Sequence, residues 1–169
     1  VTYSEELAQK TYHACVNGYM PLTIGGDHSC AIGSISGVSK AYDNIGVIWM
    51  DAHGDLNTPE TSASGNVHGM PCAMLLNKGS CELNHILYEG QKLKKENLFM
   101  IGQGDLDPGE VELIQEEGIY VRSVADYRKA GIDAVLDEIF TRLRQRNIDA
   151  VHLSFDVDFI DKALVPGTG

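Results

Sequence analysis

The order of apolar and polar positions divides the chain into segments of two periods. Residues 4–18 set Leu7, Ala8, Thr11, Tyr12, Cys15 and Val16 on one helical face, and Asn17-Gly18 follows as a stop signal. Residues 20–24 form a short apolar run that reads as a buried strand ending at Gly25-Gly26. Ala31, Ile32, Ile35 and Val38 then recur at helical spacing up to about Tyr42. The run Ile45-Gly46-Val47-Ile48-Trp49-Met50 is apolar throughout, which suits a strand covered on both faces in a parallel sheet. Residues 58–66 have the Ser, Thr, Gly, Pro and Asn content of a loop, and residues 70–76 resume an apolar helical stretch. Two more short strands are expected at 98–101 and 119–121, with a helix at 109–117 between them. The clearest helical period belongs to Ile132, Val135, Leu136, Ile139, Phe140 and Leu143, and a last strand is expected at 151–155.

Strands alternating with helices predict an α/β fold, a three-layer α-β-α arrangement around a mostly parallel sheet. A chain of 169 residues, 43% of them hydrophobic, suffices for one domain, 1–169, with a substantial core. No internal repeat, low-complexity tract or linker composition interrupts it. No apolar run approaches the ~20 residues that a membrane-spanning helix requires. The formal net charge of -11, from 13 basic against 24 acidic residues, argues against a nucleic-acid partner, which needs a basic stripe. Cys15, Cys30, Cys72 and Cys81 form no Cys-x-x-Cys pair and no basic-then-apolar leader opens the chain, so a reducing cytoplasm is the expected compartment. The start at Val1 and the stop in the flexible run Gly167-Thr168-Gly169 read as those of a portion of a longer polypeptide.

Candidate chemistry gathers just past the ends of predicted strands, where open α/β sheets place their sites. Gly25-Gly26-Asp27-His28-Ser29, Asp51-Ala52-His53-Gly54-Asp55 and Ser154-Phe155-Asp156-Val157-Asp158 bring together His28, His53 and the carboxylates of Asp51, Asp55, Asp156 and Asp158. Asp51, His53 and Asp55 are spaced by two, so they share one face if strand geometry persists, and Asp156 and Asp158 repeat the spacing. Alone, an Asp-x-Asp more often marks a solvated turn or a helix cap, and His28 is a polar residue at a helix start. Together, so many carboxylates would repel one another and raise one another's pKa, and cations are the simplest means of keeping them ionised. A donor set of carboxylates with some imidazole and no thiolate favours manganese or magnesium over zinc or an iron–sulfur cluster.

These motifs occur in order with Asp51-Ala52-His53-Gly54-Asp55-Leu56-Asn57, Ser64-Gly65-Asn66-Val67-His68-Gly69 and Asp105-Leu106-Asp107-Pro108-Gly109-Glu110. Over essentially its whole length the chain resembles the ureohydrolase family, and within it most closely the arginases. The resemblance implies two Mn2+ ions, one held by His28, Asp51, Asp55 and Asp156 and the other by Asp51, His53, Asp156 and Asp158, with Asp51 and Asp156 as bridges. It implies that a hydroxide shared by the two ions attacks the guanidinium carbon of L-arginine to give L-ornithine and urea. Asp55 would also hydrogen-bond that hydroxide and assist proton movement, while His68 would shuttle a proton to the departing amine. Asn57, Ser64 and Asn66 match positions that accept the substrate carboxylate, and Asp107 and Glu110 match positions near its α-amino group. Such contacts would discriminate arginine from agmatine. The resemblance also implies a homotrimer or homohexamer for the full-length protein. The sheet is expected to be incomplete at both ends, and the family's glutamate that contacts the guanidinium lies beyond the matched part. His13, His85 and His152 match no motif and are expected to be structural or surface residues.

Three other readings compete. Agmatinase or another guanidino-compound hydrolase uses the same metal motifs. A truncated ureohydrolase that binds metal without turnover fits the same six ligands. A deacetylase-like relative shares the fold only by analogy, and its single zinc needs fewer ligands than this pattern supplies.

Overall fold

The computed structural model describes residues 1–79 and 81–168; Ser80, Gly169 and the side chain of Cys81 lie outside the described residues. Helix α1 spans Thr2–Val16 and α2 spans Cys30–Ala41, followed by strand β1 at Ile45–Met50. Two short helices, α3 at Pro71–Leu75 and α4 at Cys81–Asn84, precede β2 at Leu98–Ile101. Helix α5 at Pro108–Glu117 leads to β3 at Tyr120–Arg122, then come α6 at Val124–Ala130, α7 at Ile132–Gln145 and β4 at Ala150–Phe155. The four strands form one sheet in the order β3-β2-β1-β4, every pair parallel.

Alternation along the central strands sends side chains to two apolar layers. Val47, Trp49, Leu98 and Met100 pack against Ala31, Ile35 and Val38 of α2 and against Cys72 and Leu75 of α3. Ile48, Phe99 and Ile101 face the other way, onto Val135, Ile139 and Leu143 of α7. The expected three-layer α-β-α arrangement is therefore present, and β1 and β2 are buried on both faces as their unbroken apolar runs predict. Outside this stack, α1 lies directly on α2. A Cβ at Gly37 would come within 2.5 Å of the carbonyl oxygen of Ala8, and one at Gly33 within 2.6 Å of that of Ser4, so the two glycines set the distance between the helices.

Several expectations shift on contact with the structure. Residues 20–24 pair with no strand among the described residues, and Met20, Leu22 and Ile24 project into solvent at 92%, 82% and 89% exposure. An apolar run becomes a strand only where a neighbour completes its hydrogen-bond ladder, and none lies beside this one. The buried stripe of α1 is Ser4, Ala8, Thr11 and Cys15, with Val16 exposed, because close contact with α2 selects small side chains. On α7, Phe140 is likewise half exposed while Val135, Ile139 and Leu143 carry the contact. Helices α4 and α6 have no counterpart in the apolar pattern. Among the described residues, no helix is long and apolar enough to cross a membrane.

Candidate metal centre

Register in the sheet brings the motifs together. Met50 is aligned with Ile101 on one side and Phe155 on the other, so the residues that follow leave the same edge side by side. The ladder continues for one further bond on each side: Asp51 N–H donates to the Ile101 carbonyl (3.2 Å) and Asp156 N–H to that of Met50 (2.9 Å). Asp51 and Asp156 thus emerge together at the carboxyl edge, and Asp27-His28 reaches it from the start of α2. Strand geometry does not persist beyond Met50. His53 and Asp55 converge on Asp51 because the chain turns, with Asp55 held in a left-handed conformation (φ 52°) that Asp tolerates better than most residues. Gly102 permits the close approach of this turn, since a Cβ there would lie 2.9 Å from the Asp51 carbonyl oxygen and closer still to the Phe159 ring.

Nδ1 of His28 lies 2.7 Å from Asp51 Oδ2, 3.2 Å from Asp55 Oδ2 and 3.3 Å from Asp156 Oδ2. A second group surrounds His53, whose Nδ1 lies 2.9 Å from Asp158 Oδ2 and 3.5 Å from Asp51 Oδ1. His28, Asp51 and Asp156 can bring ligand atoms within 4.8 Å of one another, as can Asp51, His53 and Asp158. Asp51 belongs to both sets and turns one oxygen to each histidine. Asp156 does not: its Oδ2 faces His28 while Oδ1 accepts from the Asp158 N–H at 3.2 Å.

The centre is held by contacts that the sequence did not announce. Ser154 Oγ lies 2.8 Å from His28 Nε2, and Trp49 Nε1–H donates to Asp51 Oδ2 at 3.1 Å. The His53 N–H donates to Asp51 Oδ1 (2.7 Å) and the Ala52 N–H to Asp158 Oδ1 (3.1 Å). Buried Gln103 donates through Nε2 to the carbonyls of Asp51 and His53, 3.3 Å each. The only local sequence signal for Trp49 and Ser154 is their position two residues before a ligand, on the same side of their strands.

Charge in this cluster is unbalanced without cations. Burial works against a charged His28, yet its hydrogen bond with Asp51 and the adjacent Asp55 carboxylate outweigh it and lift its pKa to about 9. The hydrogen bond with Asp51 raises His53 to about 9 as well. Burial pushes Asp55 up to about 7 and also raises Asp158. Burial opposes the ionised form of Asp51 too, but the two histidines hold its pKa low. One proton on His28 Nδ1 is directed at Asp51, so Oδ2 of Asp55, buried and 3.2 Å from the same nitrogen, has no hydrogen-bond partner. That orphaned oxygen, three carboxylates around one ring nitrogen, and a donor set of oxygens with two imidazoles all fit hard divalent cations.

These groups open onto a cleft of about 520 Å³ lined also by Asn57, Ser64, His68, Asp107 and Glu110. Asn66 does not line it; its N–H donates to Ser64 Oγ at 3.2 Å. Asp27, Ser62, Asp105 and Thr168 line it without having been singled out from the sequence. Asn57 is buried and committed within the protein, donating to Asp107 Oδ2 (2.8 Å) and accepting from Thr61 Oγ1 (2.9 Å). Glu110 is also buried, its Oε1 accepting from the Leu56 N–H and its Oε2 from the Asp107 N–H, both at 2.9 Å. It therefore ties the turn after β1 to the start of α5 and closes half of a capping box there.

The family model described as the arginase family matches residues 2–169. A curated arginase from Staphylococcus aureus is 45% identical over 169 residues, all of this chain and 55% of its own length. The crystal structure of an arginase from Bacillus cereus superposes with a TM-score of 0.93 at 48% identity, over 97% of this chain and 56% of that one. The Entamoeba histolytica arginase solved in complex with L-ornithine gives a TM-score of 0.90 at 35% identity, over 98% of this chain and 56% of that one. The chain thus spans a little over half the length of the relatives it matches. On its sequence and its fold alike, it belongs to the arginase family.

Proposed function

We propose that this chain forms the catalytic metal centre of an arginase, which uses two Mn2+ ions to hydrolyse the guanidinium group of L-arginine to L-ornithine and urea. The observation that carries the reading is Asp51, whose two oxygens face the two histidine-centred ligand groups. His28, Asp51, Asp55 and Asp156 would hold one cation, and Asp51, His53, Asp156 and Asp158 the other. Bound there, the pair would supply Lewis acidity and a water acidified enough to act as a nucleophile near neutral pH.

The chain's own residues do the rest. Asp55 lines the cleft, and its carboxylate would accept the nucleophile's proton and hold it until it is passed on. His68, exposed on a 3-10 turn at the cleft wall, reaches solvent and can deliver a proton to the departing amine. Ser64 offers a hydroxyl to the substrate carboxylate, and Asn57 fixes Asp107 so that its carboxylate faces the ammonium end. Asn66, set back from the cleft, contributes by its N–H bond to Ser64. The E. histolytica relative's complex with L-ornithine supports an amino acid of this kind as the occupant.

Urea release from L-arginine and from agmatine, assayed side by side with manganese, tests this reading. Preference for arginine supports it, whereas preference for agmatine replaces it with the agmatinase reading and removes the role given to Ser64 and Asn57.

A further inference from the structure

We propose that Trp49 is a positioning residue for the His28 half of the metal centre, and that its indole reports cation binding there. The proposal rests on the metal-centre reading above. Trp49 is the chain's single tryptophan and is fully buried. Its ring stacks on the His28 imidazole with centroids 4.0 Å apart and planes 19° apart. Its Nε1–H, the one polar group of the side chain, donates to Asp51 Oδ2 at 3.1 Å, the same oxygen that lies 2.7 Å from His28 Nδ1. One side chain therefore restrains two ligands in different ways. The indole face fixes the plane of the imidazole, and the N–H holds the carboxylate oxygen that is turned to that same imidazole. On the other side of the ring plane's edge, Ser154 Oγ at 2.8 Å from Nε2 fixes which ring nitrogen is turned into the site.

The β1 strand makes this possible. Trp49 and Asp51 lie two residues apart, so both project to the α2 side of the sheet, where His28 arrives at the start of that helix. A tryptophan that merely filled the core would need an acceptor for its N–H, but nothing would require that acceptor to be a cation ligand or the stacked ring to be another.

The test uses the full 169-residue chain and Mn2+ alone. Trp49→Phe keeps an aromatic face and deletes the N–H. It is expected to weaken one of two manganese sites by about 10- to 100-fold, the range for removal of a partner that orients a ligand, and the other by less than about threefold. In the unmodified chain, indole emission should change in step with occupancy of that same site. Asp158→Ala should preserve the emission change and His28→Ala should abolish it. A folded Trp49→Phe chain with both manganese affinities unchanged overturns the positioning role. Should Trp49→Phe not fold, the unmodified chain decides: emission indifferent to bound manganese also overturns the proposal. Manganese that does not bind the unmodified chain at all overturns the metal-centre reading itself, a distinct result.

Discussion

Oδ2 of Asp51 lies 2.7 Å from Nδ1 of His28, although 23 residues separate them in sequence. Its other oxygen is turned to His53, so one carboxylate joins two ligand groups. Everything proposed about the site depends on that junction, and the surrounding fold can be tested apart from it.

The contact between α1 and α2 leaves no room for a methyl group at Gly37, where a Cβ would meet the Ala8 carbonyl at 2.5 Å and Thr11 Cβ at 2.6 Å. Gly37→Ala should destabilise the chain by about 1–3 kcal/mol in denaturant unfolding, the usual cost of overpacking. Manganese affinity of the folded fraction should stay as it was, because this contact lies outside the sheet edge that carries the ligands.

Burial, with the charge of His28 as a lesser influence, pushes the His152 imidazole down from 6.5 to about 4. A histidine depressed in the fold stabilises it at pH above its unfolded value, and that contribution is lost as pH falls through the folded value. The share of stability that the metal-free chain draws from His152 should therefore be lost between pH 6.5 and about 4. His152→Gln should lose less over the same window in thermal melts, and an unchanged profile would remove His152 from the account.

His68 touches none of the ligand groups, and its place on the cleft wall suits proton delivery rather than cation binding. His68→Ala should keep full manganese content and slow urea formation by about 10²- to 10⁴-fold, the typical share of a general acid. Loss of manganese in this variant would instead make His68 part of the cation site.

Asn57 and Asp107 form one unit through their 2.8 Å hydrogen bond. Asp107→Ala should raise KM for L-arginine while leaving manganese content intact, and should weaken agmatine binding as well, since that substrate carries the same ammonium group. An unchanged KM with lowered stability would assign Asp107 to folding of the α5 start instead.

Much of this was legible in the sequence because physics there is local. Unbroken apolar runs at 45–50 and 98–101 can be satisfied only by a two-sided sheet, and both strands formed. The candidate ligands were legible as types and spacings and were expected to gather past the strand ends, but the geometry of that gathering was not legible. It comes from parallel register around Met50 and from the turn at Asp55, neither of which is written in any short window. The run at 20–24 has strand chemistry and lacks a neighbour, so its fate depended on partners that a window cannot contain. Helix α6 did leave a local trace: Ser123 and Asp126 cap each other's backbone N–H groups, a Ser-x-x-Asp pattern more telling than its weak apolar period. Gln103 left none, and Trp49 and Ser154 only their spacing from a ligand, since each acts through a contact made only after the sheet closes.

The most direct test of the central claim is manganese content by metal analysis of the purified chain and its Asp51→Ala variant, both verified as folded. The account predicts about two Mn2+ per unmodified chain and close to none in Asp51→Ala, because the shared carboxylate serves both groups. Two ions retained by Asp51→Ala would contradict it.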